Sequence, residues 1–247
     1  MTIVATVQIL GARFFSTHHE SAADALAGRE RPSTPPAFAL LVGRARRFTS
    51  LVTQMHLEVC ASLHGEAPEP PLAVFATCHG EIQTAEKLIA DIRDSAMVSS
   101  ARFALSVHNT PSGLYSVATA SAAPTTTVTG SNAIAAGWLD AALTALAEGR
   151  TVLLTIADEP VPAVFQGPPE PVGVAAAFLL APASSAGRPV QLAVVPSGDD
   201  GTDVGTVQTL AHAAAAALRG EPAAIDLGRV RPGARLELRF PSQDART

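Results

Sequence analysis

TTTVTGSNAIAAGW, Thr125 to Trp138, is the stretch that decides the fold. Thr125–Thr129 is all β-branched, which favours a strand. Gly130 ends the run, a polar pair follows, and an alanine-rich segment begins. Ser131 or Asn132 suits a helix N-cap. The helix is predicted over Ala133–Glu148 and ends at Gly149, a residue at ease past a helix end. Strand, tight turn and helix is how many enzymes present a nucleophile. The hydrolase elbow needs Gly-x-Ser-x-Gly, and here the pattern fails on both sides of Ser131. No cysteine stands at the tip.

The surrounding segments place this unit in a mixed sheet. LAVFAT (Leu72–Thr77) and TVLLTIADE (Thr151–Glu159) are unbroken apolar runs, as in strands covered by helices on both faces. Ile3–Leu10 reads as a first strand, and Arg235–Phe240 alternates as a last one. Val174–Leu180 and Val190–Val195 read as two strands, antiparallel neighbours joined through Ser184–Arg188. FALSVHN (Phe103–Asn109) alternates like a strand and stops at Asn109-Thr110-Pro111. There Asn109 or Thr110 caps a helix that has Pro111 in its first turn.

Helical spacing recurs over Arg44–Leu63, with Phe48, Leu51, Val52, Met55, Val59 and Leu63 on one side. It recurs over Glu81–Ile92 and Thr206–Leu218, with a short helix at Ala22–Ala27. Alternating strands and helices mixed with hairpin-like pairs define an α/β domain.

The bulk numbers exclude several classes. The chain has 247 residues, 47% hydrophobic and only 16% charged. A surface so lean in charge points to burial against another chain. Net charge is −5 and aromatics are 4%, with no basic run beyond Arg44, Arg46 and Arg47. Nucleic acid has nothing to stack on or track along. Cys60 and Cys78 make no disulfide framework and fit a reducing cytoplasm. The N-terminus reads as a strand and not a signal peptide, and no apolar run is long enough to span a membrane.

Each candidate chemical group has a plainer alternative. Cys78-His79 follows a buried strand, but adjacent residues seldom face each other. Ser106 and His108 would share a strand face; the alternative is a turn with Asn109 as cap. His56, His64, His18 and His19 lack metal-ligand spacing and read as structural or surface residues. No metal site and no cofactor is expected. Asp158-Glu159 closes a buried strand, where sites often lie. Without a metal motif, both read as acceptors that anchor loops.

Three stretches in order resemble the N-terminal half of β-ketoacyl synthases: FATCHGEIQTAEKLIADI, ARFALSVHNTPSGLYSVAT and TTTVTGSNAIAAGWLDAALTALAEGRTVLLTIADEPVP. They look most like the short chain length factors of the aryl polyene, type II polyketide kind. The matching features are His79-Gly80-Glu81, Ser106–Asn109 with Gly113, Thr125–Thr129, and Asp158-Glu159-Pro160 with Pro162. The run ARRFTSLVTQMHLEVCASL resembles the family's Arg-Arg helix.

The resemblance implies a thiolase-like α/β fold: one ketosynthase-type half, with a mixed sheet flanked by helices and the second half missing or strongly reduced. Residues 1–247 would be a single truncated domain, with 183–247 a remnant of the second half. Matching Ala133-Ile134 to the Ala-Ile after the family's elbow puts Thr127 at the position of the nucleophilic cysteine. Neither His-Gly-Thr nor Phe-Gly-Phe-Gly occurs. Condensation needs a low-pKa thiolate and donors for an enolate, and the chain supplies neither.

What the resemblance leaves is a non-catalytic subunit. It would heterodimerise with a full-length ketosynthase and shape its acyl tunnel, with the growing chain on acyl carrier protein, in polyketide, polyene or fatty-acid-like elongation. Thr125, Thr126, Thr127, Val128, Thr129, His108 and Asn109 are the expected interface. Cys78, Glu81, Ile82 and Ala85 are expected along the tunnel, on one face of a helix that begins near His79. Two alternatives stay open: an acyltransferase or thioesterase-like enzyme using Ser131, Ser106 with His108, or Cys78 with His79; and a scaffold that binds acyl carrier protein.

Overall fold

A computed structural model describes residues 1–37, 39–41, 46, 49–95, 97–165, 172–197 and 206–242. Its strands are β1 (Thr2–Ser16), β2 (Leu72–Thr77), β3 (Thr125–Thr129), β4 (Val152–Asp158), β5 (Val174–Pro182), β6 (Arg188–Pro196), β7 (Ala223–Arg231) and β8 (Ala234–Phe240). They form one mixed sheet in the order β3-β2-β4-β5-β1-β6-β8-β7. The helices are α1 (Ala22–Leu26), α2 (Leu51–Glu66), α3 (Ile82–Ser95), α4 (Ser100–Ala104), α5 (Thr110–Thr119), α6 (Ala133–Glu148) and α7 (Thr206–Arg219).

Side chains alternate between two cores, because successive residues of a strand face opposite ways. Val74, Ala76, Leu154, Ile156, Phe178 and Leu180 pack under α6 and α7. Ala73, Phe75, Leu153, Ala177 and Leu179 pack under α2 and α5. β2, β4 and most of β5 are therefore apolar on both faces, as their unbroken runs predicted. Gly137 lets α6 lie close: a Cβ there would come within 2.7 Å of the Ala76 Cβ. Next to it, Trp138 is fully buried, with its ring 4.6 Å from that of Phe178.

The structure corrects the strand pairing. β5 and β6 are not neighbours; β1 lies between them, antiparallel to both. β1 is long enough for two partners, pairing Val7–Ser16 with β5 and Thr2–Ile9 with β6. The link between β5 and β6 steps across β1 at Gly187. A Cβ there would stand 3.0 Å from the Gln8 Cβ and the Ile9 carbonyl oxygen. A short apolar strand carries no record of which neighbour it takes, so adjacency in sequence misled.

Phe103–Asn109 is also not a strand. Phe103 and Ala104 end α4, and Ser106 Oγ donates to the Phe103 carbonyl in the turn that follows. Local side-chain bonding wins where no neighbouring strand is within reach. β7 had no counterpart among the expected strands: its apolar run is broken by Asp226 and Gly228. α2 begins at Leu51 behind the N-cap Ser50, whose Oγ accepts from Thr53 N–H. Of the predicted helical run ahead of it, Arg44, Ala45, Arg47 and Phe48 lie outside the described residues. After Pro182 the chain adds β6, α7, β7 and β8 to the same sheet.

Candidate functional site

β3 is an edge strand. It pairs in parallel with β2 only, Thr127 beside Phe75. Ala73 N–H donates to the Pro124 carbonyl. Parallel pairing alternates along a strand, so residues 124, 126 and 128 bond β2. The N–H and C=O groups of Thr125, Thr127 and Thr129 turn outward. Thr125, Thr126 and Thr129 are exposed; Thr127 and Val128 are half-buried.

Thr127 sits mid-strand, with its Oγ1 donating to Ser112 Oγ on α5 at 3.3 Å. The tip of the turn is Gly130–Asn132, where Gly130 has φ +110 and Ser131 Oγ donates to Asn132 Oδ1. Asn132 holds the N-cap position of α6, and Asn109 that of α5; neither side chain makes a capping bond. His108 and Asn109 are exposed. His108 lies against Gly80, its Cβ 3.6 Å from where a Gly80 Cβ would stand.

Beside that edge, three acids converge at the carboxyl ends of β2 and β4. Asp158 Oδ1 accepts from Thr77 Oγ1 at 2.8 Å, Cys78 N–H at 2.8 Å and His79 N–H at 3.2 Å. Glu159 joins two helix starts: it accepts from Val52 N–H of α2 at 3.1 Å and Gln83 N–H of α3 at 2.9 Å. Carboxylates favour such N-termini, where free N–H groups and the helix dipole meet. Glu81 accepts from Ser50 Oγ, Thr53 Oγ1 and Thr84 Oγ1.

Burial pushes all three carboxyls up. Glu159 reaches about 7, with the charge of Glu81 adding to its desolvation and the bonds to Gln83 and Val52 pulling the other way. The acids clip α2 and α3 onto the sheet. Asp158 and Glu159 thus serve as the loop-anchoring acceptors their position suggested.

The expected tunnel face divides. Gly80 has φ +61, outside helical geometry, and Asp158 holds the N–H groups of Cys78 and His79. α3 therefore begins at Ile82 and not near His79. Cys78 precedes the helix, with its N–H held by Asp158 Oδ1. Glu81 turns its carboxylate onto α2. Only Ile82 and Ala85 remain on one flank of α3. Ala85 lines an apolar groove with Leu88, Ile89, Ile92, Val98 and Phe103.

Behind the site, the histidines are structural partners. His56 Nδ1 pairs with Thr155 Oγ1 at 2.9 Å inside the core, where burial lowers its pKa to about 3. His64 Nδ1 pairs with Tyr115 Oη at 2.7 Å. Cys60, fully buried, is pushed up to about 12. His18 and His19 pair with Thr17 and Ser16. Among the described residues, no group of three His, Cys, Asp or Glu side chains, the three acids included, is placed to hold a metal ion, and no helix is long and apolar enough to cross a membrane.

An α/β half with an exposed threonine strand and acid-clipped helices is the architecture of a thiolase-like half domain. A family model for the N-terminal domain of β-ketoacyl synthase matches residues 19–221, so the chain belongs to that family. No curated protein matches it in sequence.

Two solved structures are similar. One is the ketosynthase ApeO in complex with its chain length factor ApeC from Xenorhabdus doucetiae: TM-score 0.74 at 18% identity, covering 95% of this chain and 99% of that chain. The other is the ishigamide ketosynthase/chain length factor: TM-score 0.61 at 16% identity, covering 79% of this chain and 68% of that chain. At these identities the likeness is one of fold.

Proposed function

We propose that this chain is a chain-length-factor-like, non-catalytic subunit that pairs with a full-length β-ketoacyl-acyl-carrier-protein synthase and shapes the acyl tunnel of the pair during polyketide or polyene elongation. The open edge of β3 carries the proposal. Its outward N–H and C=O groups are a template for a partner strand, and the residues around it hold no activated nucleophile. The chain's membership of the ketosynthase family and its likeness in fold to structures of ketosynthases with chain length factors support the same reading.

Thr127 would stand on the partner-facing strand in place of a reactive thiol, and Ile82 and Ala85 would border the tunnel. Residues 183–247 would be what is left of the second half, joined to β1 and not built as a second sheet. The chemistry of elongation, including the bond to acyl carrier protein, would rest with the partner.

The alternative nucleophiles are poorly placed. Ser106 Oγ is spent on a backbone carbonyl and Ser131 Oγ on Asn132. Cys78 is tied by its backbone N–H to the Asp158 carboxylate, and no base or cation is shown on its thiol. Co-expression with a full-length type II ketosynthase from the same organism is expected to yield a stable one-to-one complex. Incubation of the isolated chain with acyl thioesters is expected to leave its intact mass unchanged. A covalent acyl adduct on this chain, or a stable monomer indifferent to that ketosynthase, refutes the proposal.

A further inference from the structure

α3 is the least buried of the longer helices. Over its 14 residues only Leu88 is buried, and the short α4 beside it buries none. α2 and α6, of 16 residues each, bury eight apiece. α3 packs chiefly against α4, and Arg102 of α4 pairs with Asp91 of α3. Ile89, Ile92 and Phe103 stay more than half exposed around the groove between the two helices. Few buried apolar contacts mark a segment that opens before the rest of a fold does.

The bonds that hold α3 to the body lie at one end. Gln83 N–H donates to Glu159 Oε1, and Gln83 Nε2 to the Pro160 carbonyl. Just ahead of the helix, Glu81 accepts from Ser50 and Thr53 at the start of α2. Beyond Gln83, among the described residues, the hydrogen bonds and ion pairs of α3 go only to its own neighbours and to α4. Gly80, at φ +61, is the turn through which the segment leaves β2. At the far end the chain is fixed again at α5, whose Tyr115 is buried in the core.

We propose that α3, carrying α4 with it, is a flap that swings from the body between Gly80 and α5, and that Glu159 is its proton-controlled latch, shut on the acid side and loosened on the alkaline side. Opening bares the flank that holds Ile82 and Ala85, and the flap stands independently of the partnership proposed above.

The charged groups facing Glu159 are Glu81, which raises its pKa, and Lys87 of α3, which lowers it. α2 brings N–H groups and no acid in its first turn, and Asp158 is turned to Thr77, Cys78 and His79. Opening hydrates Glu159 and removes the burial that lifts it from 4.5 to about 7. The closed state therefore holds the proton more tightly than the open one. Closure is whole below about pH 4.5 and weakens as pH rises through about 7.

The test is hydrogen exchange of the full chain alone, followed by mass spectrometry of its peptides. Rates are corrected for the intrinsic pH dependence of exchange, and α6 serves as the internal reference. Peptides of α3 and α4 are expected to lose protection together, about tenfold or more between about pH 5 and pH 7.5 relative to α6. Glu159→Gln keeps the acceptor without the charge and is expected to flatten that loss; a melting curve confirms that it folds. Lys87→Glu changes an exposed side chain and keeps the test open if the first variant does not fold. It removes a cation and adds an anion near Glu159, so its loss of protection is expected at higher pH than in the wild type.

Equal protection of α3 and α6 at every pH overturns the flap. A flap equally open at about pH 5 and pH 7.5, a Glu159→Gln variant with the wild-type slope, or a Lys87→Glu midpoint that does not rise overturns the latch.

Discussion

The two edges of the sheet are built in opposite ways. β3 is five β-branched residues with no charge, no proline and an unbroken register against β2. β7, at the other end, has register shifts at Asp226/Gly228 and Arg229/Arg231, a Gly228 at φ +107, and two arginines near its end. Bulges and charges are how a sheet edge is kept from pairing with other chains. One edge is closed to company and the other is left open. A protein that had to stay alone would protect both, so the difference itself points to a partner at β3.

Four experiments break or sharpen that contrast. Thr127→Pro removes an outward N–H but no bond to β2, and proline is tolerated on an edge strand. It is expected to weaken the ketosynthase complex at least about 100-fold while lowering stability by about 1 kcal/mol, the usual worth of the one hydrogen bond to Ser112 that it gives up. Chemical denaturation beside the binding titration checks both. A complex that survives intact means the open edge is not the contact.

Gly137→Ala tests the layer beneath. The added methyl collides with Ala76, so a loss of about 1–3 kcal/mol is expected, the usual cost of overpacking, read from urea midpoints. A neutral result means that α6 is free to shift over the edge.

Glu159→Gln tests the clip beside it. The folded carboxyl titrates near 7 against an ordinary value of 4.5. The folded state therefore holds the proton more tightly than the unfolded chain. The stability this group contributes is whole below about pH 4.5 and is lost as pH rises through about 7. The wild-type Tm is expected to fall more steeply between about pH 5 and pH 7.5 than that of the variant. Part of the slope persists in the variant, because Glu81 is raised too. His56, depressed to about 3, acts in the opposite sense. Its contribution is present above about 6.5 and is lost as pH falls, so it is common to both proteins and cancels in the difference.

The smallest effect is expected at the closed edge. Arg229→Thr with Arg231→Thr should raise self-association modestly, seen by light scattering, and leave ketosynthase binding unchanged. If it does not, the bulges alone protect β7.

Much of this was legible beforehand. Thr125–Thr129, Ala133–Glu148 with Gly149, Leu72–Thr77 and the run from Val152 are dense β-branched, alanine-rich or unbroken apolar runs, and each formed the predicted element. Asp158 and Glu159 were read as anchors because they end a buried strand beside loops. FALSVHN misled because its alternation is only a few residues long and local Ser and Asn bonding outweighs it. The face of Cys78, Glu81, Ile82 and Ala85 depended on where one helix starts. That was set by Asp158, about eighty residues away, and by the positive φ of Gly80.

The sequence alone therefore determined most of the local elements and the family. These depend on residue chemistry and on spacing within one turn or one strand. Tertiary structure decided that β1 separates β5 from β6, that Glu81 and Glu159 clip two helix N-termini, and that Thr127 lies on an open edge. Strand neighbours and convergent acids depend on contacts between residues far apart in the chain. Such contacts are settled by burying the whole core at once and leave no periodic trace in the sequence.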